Sequence, residues 1–187
     1  MADEDCSFAN QRTENMNYCP DDGVVGGIKV KSWYCPMDQL QTITKPVVTG
    51  ATTYAARPVI TALTPKADKG FKKIILLTEE NELKSTLVGN KGNKKPQASL
   101  DAMIPNFTKR NVGAIDANKN TPMCWVVEDS EGQKWVLLEA FMDKADGTTG
   151  KKYEDNSGFA ITITANSKLY AFDGVITEIA DDEEGGA

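Results

Sequence analysis

The sequence predicts a mainly β fold, an antiparallel β-sandwich or half-barrel with one flanking α-helix and long loops. About nine short segments show the apolar and polar alternation of strands, and a single segment shows helical spacing. No segment repeats at a fixed period, which argues against a propeller or a solenoid. The 187 residues are enough for one domain with extensions at its ends.

Three parts are expected along the chain: an N-terminal arm (residues 1–25), a single β-sandwich domain (residues 26–180) and an acidic C-terminal tail (residues 181–187). The arm has few apolar side chains, and these follow no period. The tail is crowded with carboxylates. Such segments bury too little apolar surface to offset the cost of ordering them. We therefore place the whole hydrophobic core between the arm and the tail.

Proline and glycine separate the predicted elements in the first half of the domain. The first strand lies in GGIKVKSWYCP and ends at Pro36, because proline cannot continue a ladder of hydrogen bonds. A short helical turn is expected in MDQLQTI, and a strand between two prolines in RPVITALTP.

A hairpin is predicted in GFKKIILLTEENELKSTLVGN, with its turn around residues 80–82. Both faces of its first strand, IILL, are apolar. A strand that is apolar on both faces is typical of the middle of a sheet, where other elements cover it on each side. We therefore expect a central position for it.

The clearest patterns lie in the second half of the domain. QASLDAMIP alternates between apolar and polar residues, and FTKRNVGAIDANKN predicts the helix, with Thr108 as its N-cap. PMCWVVEDSEGQKWVLLEAF predicts a hairpin whose turn lies at residues 129–132. The last strands are expected in FAITITA, KLYAF and GVITEI.

The segment from Met142 to Gly158 is predicted to be a long polar loop. It contains Gly147 and Gly150 as well as Gly158, and Tyr153 is its single large apolar anchor. Ordering a segment costs roughly 1–2 kcal/mol per residue. We therefore expect this loop to be disordered in the monomer and to become ordered only against a partner surface.

The composition argues against an enzyme. The chain has no histidine, which excludes Ser-His-Asp and Cys-His catalysis. The four cysteines, at positions 6, 19, 35 and 124, lack the spacing of a zinc site, and we expect Cys35 and Cys124 to be small apolar residues on strands. No cofactor is expected. A loose calcium site at Asp143 and Asp146 stays open as an alternative, although the segment lacks a complete EF-hand pattern.

The charge pattern points to contacts between copies of the chain. The net charge of −6 disfavours general binding to nucleic acid or to an anionic membrane. Residues 66–95 contain eight lysines and four acids, whereas acids crowd both chain ends. A basic pole of one copy can therefore meet an acidic pole of the next. The candidate contact residues are Lys84, Lys91, Lys94, Lys95, Lys144, Lys151, Lys152, Tyr153, Asp181, Asp182, Glu183 and Glu184.

The order of the patterns in residues 95–175 resembles a known family. An alternating strand (ASLDAMI), a short helix (KRNVGAIDAN) and a strand pair (MCWVVEDSEGQKWVLLEA) precede a loop containing TTG and the strand of FAITITANSKLYAF. A cysteine-bearing arm leads into the first strand in CPDDGVVGGIKVKSWYCP. This order is similar to that of tail tube and related virion structural proteins of phages that infect Bacteroidota.

The resemblance implies a subunit that forms hexameric rings, which stack into a hollow tube. Its partners would be other copies of itself and other virion proteins, and DNA would pass through without specific binding. The protein would be made in the host cytoplasm and reside in the virion. No secretory signal or apolar run long enough for a membrane anchor is evident in the sequence.

Two alternatives remain open. The first is another virion component of similar fold, such as a neck, tail terminator or capsid-associated protein, which differs in the geometry of its ring. The second is a carbohydrate-binding surface β-sandwich, whose support is the three tryptophans, Trp33, Trp125 and Trp135. Tryptophans on strands are more often packing residues than sugar platforms.

Overall fold

The computed structural model describes residues 27–46 and 54–180, so the predicted arm and tail lie outside the described residues. The fold class predicted from the sequence is confirmed, since the described chain is mainly β with a single α-helix. The elements are β1 (Ile28–Pro36), a 3₁₀ turn (Met37–Gln39), β2 (Leu40–Thr44), β3 (Val59–Ile60), β4 (Ala62–Pro65), β5 (Lys72–Ile75), β6 (Glu82–Val88), β7 (Lys95–Pro105), α1 (Lys109–Asn118), β8 (Met123–Asp129), β9 (Lys134–Thr148), β10 (Gly158–Ala165) and β11 (Tyr170–Phe172).

Nine of the strands form one sheet, in which the order is β5-β1-β8-β9-β10-β7-β6. Strand β11 pairs with β9, and the two-residue β3 pairs with β11. Every pairing is antiparallel except that of β3 with β11. The remaining strands, β2 and β4, form a separate antiparallel pair.

Strand β9 joins two parts of this sheet. Its residues 134–140 pair with β8, whereas residues 141–148 pair with β10. The change of partner follows Glu139, whose φ of 54° interrupts the extended backbone. We call β5, β1, β8, β11, β3 and residues 134–140 of β9 the first half-sheet, and residues 141–148 of β9 with β10, β7 and β6 the second half-sheet.

The two half-sheets enclose a shared core. Leu100, Ile161 and Ile163 of the second half-sheet and Trp125 and Leu137 of the first belong to one buried cluster. On β7 and β10 the buried residues alternate with partly exposed ones, as predicted for strands that are covered on one face.

A second core lies on the opposite face of the first half-sheet. Val126 and Val136 of β8 and β9 pack there with Leu63 of β4, Ile60 of β3 and Phe71. The small β2–β4 sheet therefore covers the first half-sheet from outside. As a result, the five consecutive residues from Met123 to Val127 are all buried.

The predicted hairpin of residues 70–90 is wrong. Strands β5 and β6 do not pair with each other; they lie at opposite edges of the sheet. The connection crosses to β7, where the Leu77 amide donates to the Met103 carbonyl at 2.7 Å and the Asn81 side chain accepts from the Met103 amide at 3.1 Å. These bonds hold the two edges near each other, so the sheet curls into a half-barrel, and β5 is an edge strand instead of a central one.

The predicted helix is confirmed as α1, because the Thr108 side chain accepts a hydrogen bond from the Asn111 amide at 3.2 Å. The hairpin of β8 and β9 is also confirmed, with the Gly132 amide donating to the Asp129 carbonyl at 3.0 Å. The last predicted strand, GVITEI, is wrong. Its residues form only an isolated bridge between Phe71 and Glu178.

The loop predicted from Met142 to Gly158 is wrong over its first seven residues, which belong to β9 and pair with β10. Gly147 misled the prediction, because glycine usually signals a loop. Here it makes room for two stacked rings, Phe107 and Phe159, whose centroids are 5.0 Å apart. A Cβ at Gly147 would lie 2.4 Å from the Phe159 ring and 2.6 Å from the Phe107 ring.

Candidate assembly surface

The structure brings four of the predicted contact lysines onto one hairpin. Lys84 lies on β6, Lys91 and Lys94 lie in the connecting turn, and Lys95 begins β7. The turn begins at Gly89, whose φ of 102° favours glycine and whose Cβ would lie 2.6 Å from the Asn93 carbonyl oxygen. We call β6, β7 and the turn at residues 89–94 the basic hairpin.

Lys84 is a weaker candidate than the sequence suggests. Its amino group contacts Glu82 at 2.8 Å and Asp101 at 3.1 Å. The hydrogen bonds to Glu82 and then to Asp101 raise the pKa of Lys84. Its charge is therefore compensated within the chain. In the described part of the chain no acid pairs with Lys91, Lys94 or Lys95, which leaves those three charges for a neighbour.

The open edge of strand β6 lies beside these lysines, and the sequence analysis did not predict it. Strand β6 pairs with β7 in an unbroken register and has no second partner among the described residues. Leu87 is 66% exposed and Val88 is 41% exposed beside the turn. An open edge with apolar side chains is a ready site for contact with another chain. The signal in the sequence was the apolar pair Leu87-Val88 at the end of the second strand of the predicted hairpin.

The remaining predicted contact residues lie elsewhere. Lys144 is on β9 and pairs with Asp146 at 2.5 Å, and the H-bond to Asp146 raises the pKa of Lys144. Lys151 and Lys152 lie in the turn at residues 149–157, where both backbone amides donate to the Asp155 carboxylate at 2.8 and 2.9 Å. These two bonds shape the turn within the chain, and the expected disorder of residues 149–157 in the monomer stays a prediction.

Tyr153 projects fully from the same turn, as predicted for a contact residue. Because Gly158 pairs with Pro105 of β7, this turn lies at the other end of β7 from Lys95. Ten residue steps separate the two positions, which corresponds to roughly 33 Å of strand. Among the described contact residues, Lys91, Lys94 and Lys95 therefore lie at one end of the second half-sheet and the turn with Lys151, Lys152 and Tyr153 at the other, whereas Lys84 and Lys144 lie between them.

The described chain ends near the Pro105 end of β7. Glu178 accepts hydrogen bonds from Trp33 at 2.8 Å and from Lys31 at 2.6 Å, and these two bonds, Lys31 first, lower the pKa of Glu178. Lys72 then donates to the Ala180 carbonyl at 2.6 Å. Lys72 lines the same cavity as Pro105. The acidic residues Asp181, Asp182, Glu183 and Glu184, which lie outside the described residues, follow directly after this point.

The cysteines of the described chain form no reactive site. Cys35 and Cys124 are free, buried and directly opposite each other on β1 and β8. Burial, with a smaller effect of Asp38, raises the pKa of Cys35 to about 11, and burial also raises that of Cys124. Because the thiolate is the nucleophile, both thiols are unreactive at neutral pH. The prediction that they are small apolar residues on strands is confirmed; Cys6 and Cys19 lie outside the described residues.

The described residues give no support to a calcium site or to a surface of tryptophans that binds carbohydrate. Asp143 and Asp146 lie on the paired strand β9, and residues 27–46 and 54–180 hold no group of three or more potential metal-ligating His, Cys, Asp or Glu side chains. Trp33 and Trp125 are 5% and 2% exposed. Trp135 is partly buried and donates to Asp129 at 2.7 Å. Thus no open row of tryptophans exists to stack against a sugar.

Comparison with protein-family models, with curated proteins and with solved structures gave no match. Among the described residues, no helix is both long and apolar enough to cross a membrane.

Proposed function

We propose that this protein is a virion structural protein that assembles into rings, and that these rings stack as the tube of a phage tail. It is made in the host cytoplasm and resides in the virion, with other copies of itself and other virion proteins as its partners. DNA passes through the tube without specific binding, in keeping with the net charge of −6.

The observation that carries the proposal is the distance between the lysines of the basic hairpin and the point where the acidic tail follows the described chain, a point that is itself flanked by Lys72. Lys91, Lys94 and Lys95 lie at one end of β7, and the acidic tail leaves the described chain near the other. Two copies that meet through their basic hairpins would bring like charges together. Contact of the basic hairpin with the acidic tail of the next copy brings unlike charges together, and repeated head-to-tail contacts form rings or filaments.

The surface at the basic end is suited to such a contact. Each exposed ion pair contributes about 0–1 kcal/mol and is screened by salt. Leu87 and Val88 add apolar area on the open edge of β6, and an open edge also offers backbone hydrogen bonds. Charges therefore set the orientation of neighbouring copies, and the strand edge supplies much of the attraction.

The test is the size of the purified protein at high concentration and low salt, measured by light scattering and followed by negative-stain electron microscopy. We expect rings or stacked tubes. Replacing Lys91, Lys94 and Lys95 with Glu, or deleting residues 181–187, should weaken assembly, and raised salt should weaken the wild type. The matched control replaces Lys45, Lys66 and Lys69 with Glu, the same change of charge at exposed positions away from the basic hairpin.

A strictly monomeric protein under these conditions would sink the proposal. Assembly that ignores both changes and the salt concentration would show that the two charged ends do not meet. Single rings that do not stack would favour a neck or tail terminator protein over a tail tube protein.

A further inference from the structure

A cavity of about 450 Å³ opens at the end of the half-barrel where the described chain ends. It exists because β5 and β7 do not pair along residues 72–75 and are linked only further on, through Leu77 and Met103. Tyr34 and Trp125 form its floor as a stacked pair with centroids 5.4 Å apart. The volume is within the usual range for ligand pockets, roughly 300–1,000 Å³.

Helix α1 forms one wall of the cavity. Asn111 ties the start of the helix to the body by donating to the carbonyls of Pro105 at 3.2 Å and Asn106 at 2.8 Å. Ile115 packs against the shared core, and Ala114 lines the cavity. No residue of α1 is fully buried. The helix therefore stands beside an open space instead of filling it.

The mouth of the cavity is cationic, whereas its floor is apolar. Lys72, Lys73 and Arg110 are its charged lining residues, and no Asp or Glu lines it among the described residues. An occupant that complements both features has carboxylates close to a large apolar side chain.

Two acidic segments of the chain lie outside the described residues, and they differ in apolar content. The tail, residues 181–187, begins beside Lys72 and can offset the charge of the mouth. It contains four acids, two glycines and one alanine, so it has no side chain able to fill the cavity. The arm contains the sequence DEDCSF, in which three acids at positions 3–5 precede Phe8.

We propose that the cavity receives residues 3–8 of the arm of a neighbouring copy. The Phe8 ring packs on the Tyr34 and Trp125 floor, and the acids face Lys72 and Lys73 at the mouth. The arm would thereby latch one copy to the next. This inference rests on the proposed function, since it requires an assembly.

The described chain begins at the other end of β1 from the cavity, the end that faces the next copy in a head-to-tail stack. The Gly27 carbonyl accepts from the Ser130 amide at 3.2 Å, beside the β8–β9 turn. Tyr34 is seven residues further along β1, roughly 23 Å away. In a head-to-tail stack, the end of one copy from which the arm departs faces the cavity end of the next copy.

The test uses a mixture of full-length ¹⁴N and ¹⁵N copies, assembled together and treated with a carbodiimide that joins lysines to carboxylates in direct contact. We expect mass spectrometry to find Lys72 or Lys73 joined to residues 3–5 in peptides of mixed isotope. Ala114→Trp, which fills the cavity, should reduce these cross-links at least about tenfold, the loss expected when an aromatic anchor is displaced. Ala117→Trp is the matched control on the same helix, because Ala117 is exposed and lies outside the cavity.

Phe8→Ala should reduce the same cross-links, and Phe8→Leu should restore part of them. Circular dichroism and thermal melting of each variant check that the fold is kept.

Three outcomes overturn the inference: cross-links to residues 3–5 of one isotope only, cross-links from Lys72 and Lys73 only to residues 181–184, or no arm cross-links in assemblies that light scattering shows to be intact. In each of these cases the proposed assembly function survives. If no assembly forms at all, the proposed function fails and the latch fails with it.

Discussion

The two half-sheets are built from the same kind of strand, yet they differ in how they are covered. In the first, five consecutive residues of β8 are buried, because a core lies on each face. In the second, buried and partly exposed residues alternate along β10, and the outer face is polar. The first half-sheet is therefore covered by a core on each face, whereas the outer face of the second half-sheet is open to solvent.

The features on which the proposed assembly depends lie on the second half-sheet. The second half-sheet holds the open edge of β6, the basic hairpin and the projecting Tyr153. Its outer face can change without disturbing a core, because solvent is its neighbour in the described chain. A protein that contacts copies of itself needs such a face on a rigid support.

The largest expected effect tests whether the first half-sheet is covered on both faces. Leu137 points into the shared core and Leu138 into the second core. Leu137→Ala and Leu138→Ala should each lower the free energy of unfolding by about 2–5 kcal/mol. In the second half-sheet Ile163→Ala should cost as much, whereas Thr164→Ala should stay within about 0.5 kcal/mol. Urea denaturation measures the free energy of unfolding of all four variants. If Leu138→Ala lowered it as little as Thr164→Ala does, the second core would be contradicted.

An intermediate effect compares two glycines in different surroundings, Gly147 on β9 and Gly113 on α1. Gly147→Ala should destabilise by about 1–3 kcal/mol, since its Cβ would collide with Phe107 and Phe159. Gly113→Ala, on the exposed side of α1 with no atom within 4 Å of its Cβ, should stabilise by up to about 1 kcal/mol. Thermal melts should therefore shift in opposite directions. Equal shifts would mean that Gly147 is an ordinary loop glycine.

The smallest effect belongs to the outer face of the second half-sheet. The Asp101 carboxylate accepts from Thr162 at 2.8 Å and contacts Lys84 at 3.1 Å. The Thr162 hydrogen bond and then the Lys84 hydrogen bond lower its pKa. A lowered pKa in the folded state stabilises the fold above the unfolded value of about 3.9, and this contribution is lost as the pH falls through the folded value.

Asp101→Asn should therefore lower the free energy of unfolding at pH 6 by less than about 1 kcal/mol, because the site is partly exposed. At lower pH, where Asp101 of the wild type becomes protonated, the difference should shrink. Urea denaturation at pH 6 and at pH 2 checks this, and Thr162→Val should shrink the pH-dependent difference. A difference that persists unchanged at pH 2 would show that packing, and not the charge, is responsible.

The elements that the sequence predicted correctly depend on neighbours along the chain. β7 and β10 follow from alternation, because successive side chains of a strand point to opposite faces. The helix follows from Thr108, whose side chain caps the first turn by accepting a hydrogen bond from the Asn111 amide. The β8–β9 turn follows from the turn-forming residues 129–132. Each of these signals acts over a few positions, so no knowledge of distant residues is needed.

The errors arose where distant residues decide the outcome. The apolar run IILL suggested a central strand, but only one of its faces meets the core, through Ile74 and Leu76, and Ile75 on the other face is 44% exposed. Gly147 suggested a loop, although a strand glycine was required by the two phenylalanine rings that pack over it. Composition shows neither cause, since both are contacts between segments far apart in the sequence.

By itself the sequence determined that this protein is a β-rich domain with basic and acidic regions and without histidine chemistry, because propensity, alternation and charge are properties of local residues. Only the tertiary structure decided which residues lie together. It placed Lys91, Lys94 and Lys95 at the opposite end of the half-sheet from the exit of the acidic tail. It also left a cavity between β5, β7 and α1, because strand pairing and the curl of a sheet depend on the whole chain at once.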